Sequence, residues 1–291
     1  MNDKVSVVIP VFNSAQFLES SIQSVIDQSW ENLEVIAVND GSTDESLDIL
    51  QQFSDQITVI NQSNSGLANA LNSGIRKISG NYFKWFSPDD ILRNDAIEKL
   101  VSKANSSQNT IFYSNWDIID EKNNVLRTFH EHNFNNLSIF DYNVRLLDGQ
   151  QINVNTSLIP VSLFEKGCIF QDLDDPVAID YDFFLRAGII HKYKFHLISD
   201  NLLKYRIHPN QLSHKNIVKT LEDTKLISEQ ILSELSLDEK KRYLDALETF
   251  QNSRNLKEKS MQMGLKITSK LPDWASDKIL TFYLNKIRRN R

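Results

Sequence analysis

Acidic side chains follow two apolar, β-branched segments of this chain. Asp40 comes shortly after the segment 33–38, and Asp89 and Asp90 come shortly after the segment 82–86. Because open parallel sheets bind ligands outside the carboxyl ends of their strands, these side chains are predicted to lie at a ligand-binding edge. One carboxylate there can accept a hydrogen bond from a nucleotide base, and a pair can hold a divalent cation against phosphate oxygens. The pattern predicts a nucleoside-diphosphate and metal site, and therefore group-transfer chemistry.

Asp40 is the first candidate for contact with a base. Its side chain is predicted to point into the crevice at the strand end, where it could accept the imide hydrogen of uracil. Ser42 is a further candidate nucleotide contact. A turn followed by a helix cap explains Asp40 and Ser42 about equally well. The end of the neighbouring strand could add backbone groups and an aromatic wall, from Pro10, Val11, Phe12 and Asn13. A single phenylalanine such as Phe12 is, however, more often a core residue.

A loop of small residues leads into a helix at positions 64–74 and supplies candidate phosphate contacts. Asn64, Gly66 and Asn72 are chosen because backbone can approach a ligand closely at glycine and a helix N-terminus attracts phosphate. The Gly-Lys-Ser/Thr signature of a P-loop does not occur in the sequence, and without it this signal is weak.

The adjacent carboxylates of Asp89 and Asp90 are the sharper signal for a metal. Two such groups repel each other unless they are solvated, cap a helix or bind a cation. A helix cap is the competing explanation. In the polar cluster 205–210, His208 could complete the metal's ligands, although a lone histidine is more often structural. Arg206 of the same cluster could neutralise a diphosphate.

A general base is predicted at the start of a later amphipathic helix, in Asp180-Tyr181-Asp182. The helix dipole at that end tends to keep a carboxylate ionised, so either Asp180 or Asp182 could accept a proton. Ordinary N-terminal helix charge is the commoner explanation for such a residue.

The elements that must position these residues are predicted from hydrophobic periodicity. Strand and helix alternate four times over the first 90 residues, which is typical of a doubly wound α/β sheet. Ser14 is predicted to cap the first helix, and the spacing of Ser42 and Glu45 predicts a capping box for the second. The predicted strands are 5–9, stopped by Pro10, then 33–38, 57–60 and 82–86.

The rest of the chain is less regular. A strand at 111–113, a hairpin strand at 125–129, a helix over 180–190 and short strands at 197–198 and 204–207 are predicted. From about residue 213 the composition shifts to helix formers, which predicts a domain over 1–213 and a C-terminal helical extension over 214–291. The basic, aromatic segment after Pro272 could contact anionic lipid or a polyprenyl-linked acceptor. Packing on the core or between subunits is its more ordinary explanation.

Composition excludes some classes of protein. The net charge of −6 argues against nucleic acid as a partner. Cys168 is the single cysteine, so no intrachain disulfide forms, as expected in a reducing compartment. The N-terminus reads as a strand rather than a secretion signal, and no apolar segment is long enough to span a membrane. We therefore expect a cytoplasmic protein.

Taken together, these strings resemble the inverting family 2 glycosyltransferases with the GT-A fold. The residues that carry the resemblance cover about the first 213 positions: 5–13, 35–44, 64–74, 82–90, 180–186 and 205–213. The resemblance implies that Asp40 meets the uracil or another base of a nucleotide-sugar, with Asp89 among the nucleotide contacts. It implies Mn²⁺ or Mg²⁺ held through Asp89, Asp90 and His208, and it makes Asp180 the catalytic base.

Two positions depart from the family's pattern. Ser87 stands where an Asp-x-Asp-Asp string usually begins, so metal binding must rest on the later carboxylates. Ile179 replaces the glutamate that commonly precedes the base, so a possible orienting carboxylate is lost. The expected reaction is metal-dependent transfer of a sugar to a hydroxyl of a glycan or lipid-linked acceptor. It is expected to serve bacterial surface glycan synthesis at the inner face of the membrane. Self-association of the chain is also possible. A catalytically inactive nucleotide-sugar-binding protein and a nucleotidyltransferase are the alternatives.

Overall fold

The computed structural model describes residues 3–105, 107–173, 178–209, 211 and 217–254. Its first half contains β1 Val5–Val11, α1 Ala15–Ile26, β2 Leu33–Asp40, α2 Ser46–Gln52, β3 Thr58–Gln62, α3 Leu67–Ile75, β4 Tyr82–Trp85, β5 Ile91–Leu92 and α4 Ala96–Ala104. There follow β6 Thr110–Ile119, β7 Val125–Phe129, α5 Ile139–Leu147, a 3₁₀ turn Val154–Thr156, β8 Ile159–Pro160, α6 Ser162–Glu165, α7 Ile179–Leu185 with a π-helical turn Arg186–Ile190, β9 Lys194–Arg206, α8 Ile217–Ser233 and α9 Leu237–Asn252.

Two sheets form the framework. The larger has the strand order β3-β2-β1-β4-β8, with β1 to β4 parallel and β8 antiparallel. The smaller has the order β5-β9-β6-β7, in which only β6 and β9 run parallel. The alternation of strand and helix up to β4 therefore builds the predicted α/β fold, a mostly parallel sheet flanked by helices.

Hydrophobic side chains cover both faces of the larger sheet. Successive residues of a strand point to opposite faces, so Val8 of β1 packs with α3 in one cluster while Val7 packs with α1 in the other. The C-terminal helices join the first of these clusters through Ile231 of α8 and Tyr243 of α9. The domain division at 213 and 214 stays a prediction, and the segment after Pro272 lies outside the described residues.

Pro10 does not end β1, contrary to the sequence-based expectation. The strand continues to Val11 in register with β2, although it is central in the sheet. The backbone N–H of Phe86 donates to Val8 O, so this side of β1 faces β4. Residue 10 faces the same side, where β4 has already ended opposite Val8. The missing N–H of proline therefore removes no bond from the sheet.

The side chains predicted to cap the first two helices do not make the capping hydrogen bonds. Ser14 precedes α1 but its hydroxyl donates to Phe12 O, and α2 begins only at Ser46. Asp44 caps the N-termini of both α1 and α2, because its carboxylate accepts from Ala15 N and Ser46 N at 3.0 Å each. One acidic side chain thus accepts from first-turn N–H groups of two helices, which have no partner within their own helix.

The two short strands predicted near 197 and 205 are one long strand, β9. Polar residues interrupt its apolar pattern, which explains the error in the prediction. The strand continues through them because side chains stabilise an irregular register: Asn115 Nδ2 donates to Ser199 O at 2.8 Å and Asn201 Nδ2 to Asp117 Oδ1 at 3.0 Å.

Within the described ranges, none of the helices has the length and apolar character needed to cross a bilayer.

Gly74 is where α3 comes closest to the sheet. A Cβ atom at this position would lie 2.4 Å from Val8 Cγ1 and 3.3 Å from Val38 Cγ2. We expect Gly74→Ala to lower the free energy of unfolding by about 1–3 kcal/mol through overpacking, as measured by urea denaturation. Ser73→Ala, one residue earlier on the same helix, is the control and should change it far less. Equal stability of the two variants would contradict this close packing.

Candidate active site

A cavity of about 710 Å³ opens at the carboxyl ends of β1, β2 and β4. This volume suits a small-molecule ligand. The predicted residues that line it are Pro10, Val11, Phe12, Asn13, Asp40, Asn64, Gly66, Asp89 and His208. The first eight lie at or shortly after the ends of β1, β2, β3 and β4, while His208 lies on the segment that follows β9 of the smaller sheet. Residues far apart in sequence therefore meet in one concave site.

Asp40 is almost completely buried beneath the cavity wall, with 3% of its surface exposed. Its Oδ1 accepts from Gln62 Nε2 at 2.7 Å and from Ser65 N at 3.0 Å, and its Oδ2 accepts from Gly66 N at 2.9 Å. Gly66 has a φ of 90°, which favours glycine. The carboxylate thus holds the loop before α3 in a fixed conformation beside the cavity.

The loops after β1 and β2 are bonded to each other. Asn13, at a left-handed φ of 48°, donates its N–H to Ser42 Oγ at 3.1 Å and accepts from Thr43 N at 2.8 Å. This places Ser42 as a support of the β1 loop, and Ser42 is not among the described residues that line the cavity. The side chain of Phe12 next to this junction is 49% exposed and forms an apolar wall.

Asp89 and His208 form a polar pair that also lines the cavity. His208 Nε2 lies 3.0 Å from Asp89 Oδ2, and the imidazole packs against Phe17 with ring centroids 5.1 Å apart. A carboxylate oxygen and an imidazole nitrogen are both suitable metal ligands. Their proximity to each other at the cavity makes this the most suitable place for a cation.

Asp90 is fully buried and is not among the described residues lining the cavity. Its oxygens accept from Asn155 Nδ2 at 2.8 Å and from Arg206 N at 2.9 Å. Burial, followed by the nearby charge of Asp89, raises the pKa of Asp90 well above its usual value. Burial likewise lowers the pKa of Lys84 to about 7, against the opposing effect of Asp90.

The guanidinium of Arg206 is also engaged behind the cavity. It donates to the backbone oxygens of Asp89 at 2.7 Å and Asp120 at 3.1 Å, and its Cζ lies 4.5 Å from the centre of the Phe17 ring. Since Arg206 is 1% exposed, the guanidinium supports the Asp89 loop in this structure, and contact with a diphosphate stays a prediction.

Asn72 and Asp180 lie apart from the described lining of the cavity. Asn72 faces the segment before α7, where its Nδ2 donates to Phe170 O at 2.7 Å. Asp180, half-buried in the first turn of α7, accepts from Gln150 Nε2 at 2.9 Å through Oδ2. Residues 174–177, which lead into α7, lie outside the described ranges. The role of Asp180 as the base therefore stays a prediction.

Asp182, the other candidate base, has a structural partner. It pairs with Arg186 one turn later at 3.0 Å, and Arg186 also reaches Glu234, the residue just after α8, at 2.9 Å. Burial raises the pKa of Asp182, with Arg186 opposing this shift. The pair fastens α7 to α8 and leaves Asp180 as the better candidate for chemistry.

Several cavity residues were not predicted individually: Phe17, Leu67, Ala70, Trp85 and Gln211. Trp85 could have been found, because it is the last residue of β4 and strand ends were already the selection rule. Leu67 and Ala70 share one face of α3 at helical spacing, a signal that is typical of core residues as well. Phe17 and Gln211 carry no such sequence signal.

The residues present partly fit a divalent cation. Over the described ranges, no group of three or more His, Cys, Asp or Glu side chains has the arrangement of a metal site. Asp89 and His208 supply two ligands, whereas Asp90 points elsewhere. This suits Mg²⁺ or Mn²⁺, because such ions are often held by one or two protein groups together with phosphate oxygens of the substrate.

Comparisons with known proteins agree with this geometry. Residues 6–164 match the family described as glycosyl transferase family 2. An uncharacterized glycosyltransferase of Rickettsia felis is 34% identical over 241 residues, covering 81% of this chain and 39% of that protein. The chain thus spans about two fifths of that relative. It belongs to glycosyl transferase family 2.

Solved structures share its fold at low sequence identity. Staphylococcus aureus TarS 1–349 in complex with UDP-GlcNAc has a TM-score of 0.63 at 15% identity, over 99% of this chain and 89% of that one. The mannosyltransferase PcManGT of Pyrobaculum calidifontis, in complex with GDP-Man and Mn²⁺, has a TM-score of 0.59 at 13% identity, over 98% and 85%. The fold is therefore the expected GT-A fold.

Proposed function

We propose that this protein is an inverting glycosyltransferase that uses a nucleotide-diphosphate sugar, with a UDP-sugar as the expected donor. The observation that carries the proposal is the single cavity in which Phe12, the Asp40-bound loop and the Asp89–His208 pair meet. Phe12 offers an apolar face for a base, and Asp40 sits beside it. The sugar is transferred to a hydroxyl of a glycan or of a lipid-linked acceptor. The reaction would serve bacterial surface glycan synthesis on the cytoplasmic side of the membrane.

The donor's phosphates meet two features of the cavity. The N-terminus of α3 lies at the cavity, where Gly66 and Leu67 are part of the lining, and the first turn of a helix suits anionic oxygens. Asp89 and His208 would hold the Mn²⁺ or Mg²⁺. When bound, the cation would neutralise negative charge on the departing diphosphate.

In the proposed reaction the acceptor oxygen forms a bond to the anomeric carbon while the bond from that carbon to the diphosphate breaks. Asp180 takes the proton of the attacking hydroxyl, and the nucleoside diphosphate leaves with the electron pair of the broken bond. Attack from the face opposite the leaving group inverts the anomeric configuration. General-base removal of the proton contributes about 10²–10⁴-fold to such a reaction.

The test is a screen of nucleotide-sugars with Mn²⁺, in which released nucleoside diphosphate is measured with and without candidate glycan acceptors. We expect one donor to be consumed, fastest when its acceptor is present, and chelation with EDTA to reduce the rate. Calorimetric binding of the same donors is measured in parallel. Donor binding without any released diphosphate would overturn the enzymatic proposal and favour a nucleotide-sugar-binding protein.

A further inference from the structure

Asn155 lies in the 3₁₀ turn Val154–Thr156, far in sequence from the loop that carries Asp89. It is buried, at 5% exposed, and it contacts the loop without being among the described residues that line the cavity. The sequence offers no sign of this contact, since an asparagine in a polar stretch is an ordinary turn residue. Tertiary structure alone brings it beneath the candidate active site.

The side-chain amide of Asn155 connects the two ends of that loop. Its Oδ1 accepts from Ser87 N and from Ser87 Oγ, at 3.0 Å each, and its Nδ2 donates to Asp90 Oδ2 at 2.8 Å. An amide is suited to this position because it presents an acceptor and a donor side by side. Neither a carboxylate nor an alkyl group of the same size could make both contacts.

The backbone of Asn155 is itself held in place by two side chains. Lys84 Nζ donates to Asn155 O at 2.6 Å from inside β4, and Asn155 N donates to Asn153 Oδ1 at 3.1 Å. Lys84 is fully buried, so this contact cannot be exchanged for water without cost. The position of the Asn155 amide relative to β4 is therefore well defined.

Asp89 stands between the two tethered residues. Ser87 and Asp90 are held by Asn155, and the backbone oxygen of Asp89 accepts from Arg206 Nε at 2.7 Å. With the backbone fixed on both sides, the Asp89 carboxylate has the cavity and His208 as its remaining neighbours. Small errors in such an arrangement are costly for catalysis, because ligand and reacting groups must keep their geometry.

We propose that Asn155 is a positioning residue of the active site, whose amide bridges Ser87 and Asp90 and thereby holds the Asp89 carboxylate at the donor cavity. The proposal rests on the proposed function for its kinetic consequence. It also assigns Asp90 a supporting duty as the acceptor for Asn155 and Arg206, in place of direct contact with a cation.

Single substitutions break one half of the bridge. Asn155→Asp keeps an acceptor for Ser87 but replaces the N–H donor to Asp90 with a second carboxyl group, so the two acidic side chains repel each other unless they share a proton. Asp90→Asn keeps an acceptor for Arg206 N but sets two amide NH₂ groups against each other. Each is expected to lower kcat about 10- to 100-fold, as loss of groups that orient a ligand does. KM for the donor should change less than kcat.

The double variant Asp90→Asn with Asn155→Asp exchanges the two side chains and restores the bridge. Asn at 90 can donate to Asp at 155 and still accept from Arg206 N, while Asp at 155 accepts from Ser87. Total charge and side-chain size are unchanged. We expect kcat to return to within about twofold of the wild type if the bridge is what matters. If Asp90 were a metal ligand, kcat of the double variant would be as low as that of Asp90→Asn.

A second readout does not depend on sugar transfer. Hydrogen exchange is measured by mass spectrometry on peptides covering 86–92 and 203–209, which contain the amides of Ser87 and Arg206. Although both amides keep an acceptor, loss of half of the bridge should let the loop open more often, so we expect exchange about tenfold faster in each single variant than in the wild type, and wild-type rates in the double variant. Asn153→Asp is the matched control, since its carboxylate can still accept from Asn155 N, and it should behave as the wild type.

The two readouts separate the possible failures. A wild type that transfers no sugar would defeat the proposed function, and hydrogen exchange would still test the bridge. If the double variant is unfolded, or is no better than the worse single variant in either readout, the positioning role of Asn155 is overturned. Recovery of both protection and kcat in the double variant establishes it.

Discussion

An Asp180→Asn variant is expected to lose sugar transfer by about 10²–10⁴-fold while it still binds the nucleotide-sugar. The asparagine keeps an oxygen that can accept from Gln150 Nε2, as Asp180 does at 2.9 Å, so the first turn of α7 should not change. What it loses is a carboxylate able to take the proton of the acceptor hydroxyl. Released nucleoside diphosphate measures the first effect, and titration calorimetry with the donor measures the second.

Asp48→Asn is the matched control for this prediction. Asp48 is likewise an acidic residue in the first turn of a helix, α2, and is exposed on the surface. Its substitution should leave both transfer and donor binding near the wild-type values. Near-normal turnover in Asp180→Asn would remove Asp180 from the role of base and direct attention to other groups near the acceptor.

The second large effect is expected at Asp89. Asp89→Asn should lower kcat about 10²–10³-fold, because it removes a negative charge aimed at the place where the cation and diphosphate are proposed to meet. The amide can still accept from His208, so the pair at 3.0 Å is weakened rather than abolished. Initial rates over a range of Mn²⁺ concentrations provide the measurement, and the variant should need more Mn²⁺ for half-maximal rate.

Asp95→Asn is the control within the same stretch of chain. Asp95 is exposed and pairs with Lys99 at 3.0 Å on α4, and the hydrogen bond from Lys99 is the main cause that lowers the pKa of Asp95. Surface pairs of this kind contribute about 0–1 kcal/mol to stability, so its loss should not alter the Mn²⁺ response. An Asp89→Asn variant with an unchanged Mn²⁺ dependence would show that Asp89 does not hold the cation.

The larger sheet was predictable because its signals are local. Buried parallel strands must be apolar along almost their whole length, and the helices between them show one apolar face, so the order from β1 to β4 follows from periodicity. Strand ends then indicated that Pro10, Asp40 and Asp89 lie at one edge, and all three line the same cavity. Their chemical roles stay predictions until they are measured.

Local patterns failed where a distant residue decides the outcome. Pro10 was expected to end β1, but the neighbouring strand had already ended on that side. The capping spacing around Ser42 was real, yet Asp44 caps both α1 and α2 because the two loops lie together. In the first case the end of a neighbouring strand removes the need for a donor at residue 10, and in the second a side chain 29 residues away accepts from the first N–H of α1.

The sequence by itself determined the family, the parallel sheet and the edge at which carboxylates collect, because side-chain type and spacing along one strand or helix decide those features. Only the tertiary structure decided where each carboxylate points. Asp89 faces the cavity beside His208, whereas the adjacent Asp90 faces a buried asparagine from a turn far along the chain. The two adjacent side chains point in different directions because a buried polar group needs a hydrogen-bond partner, and the fold supplies one for Asp90 away from the cavity lining.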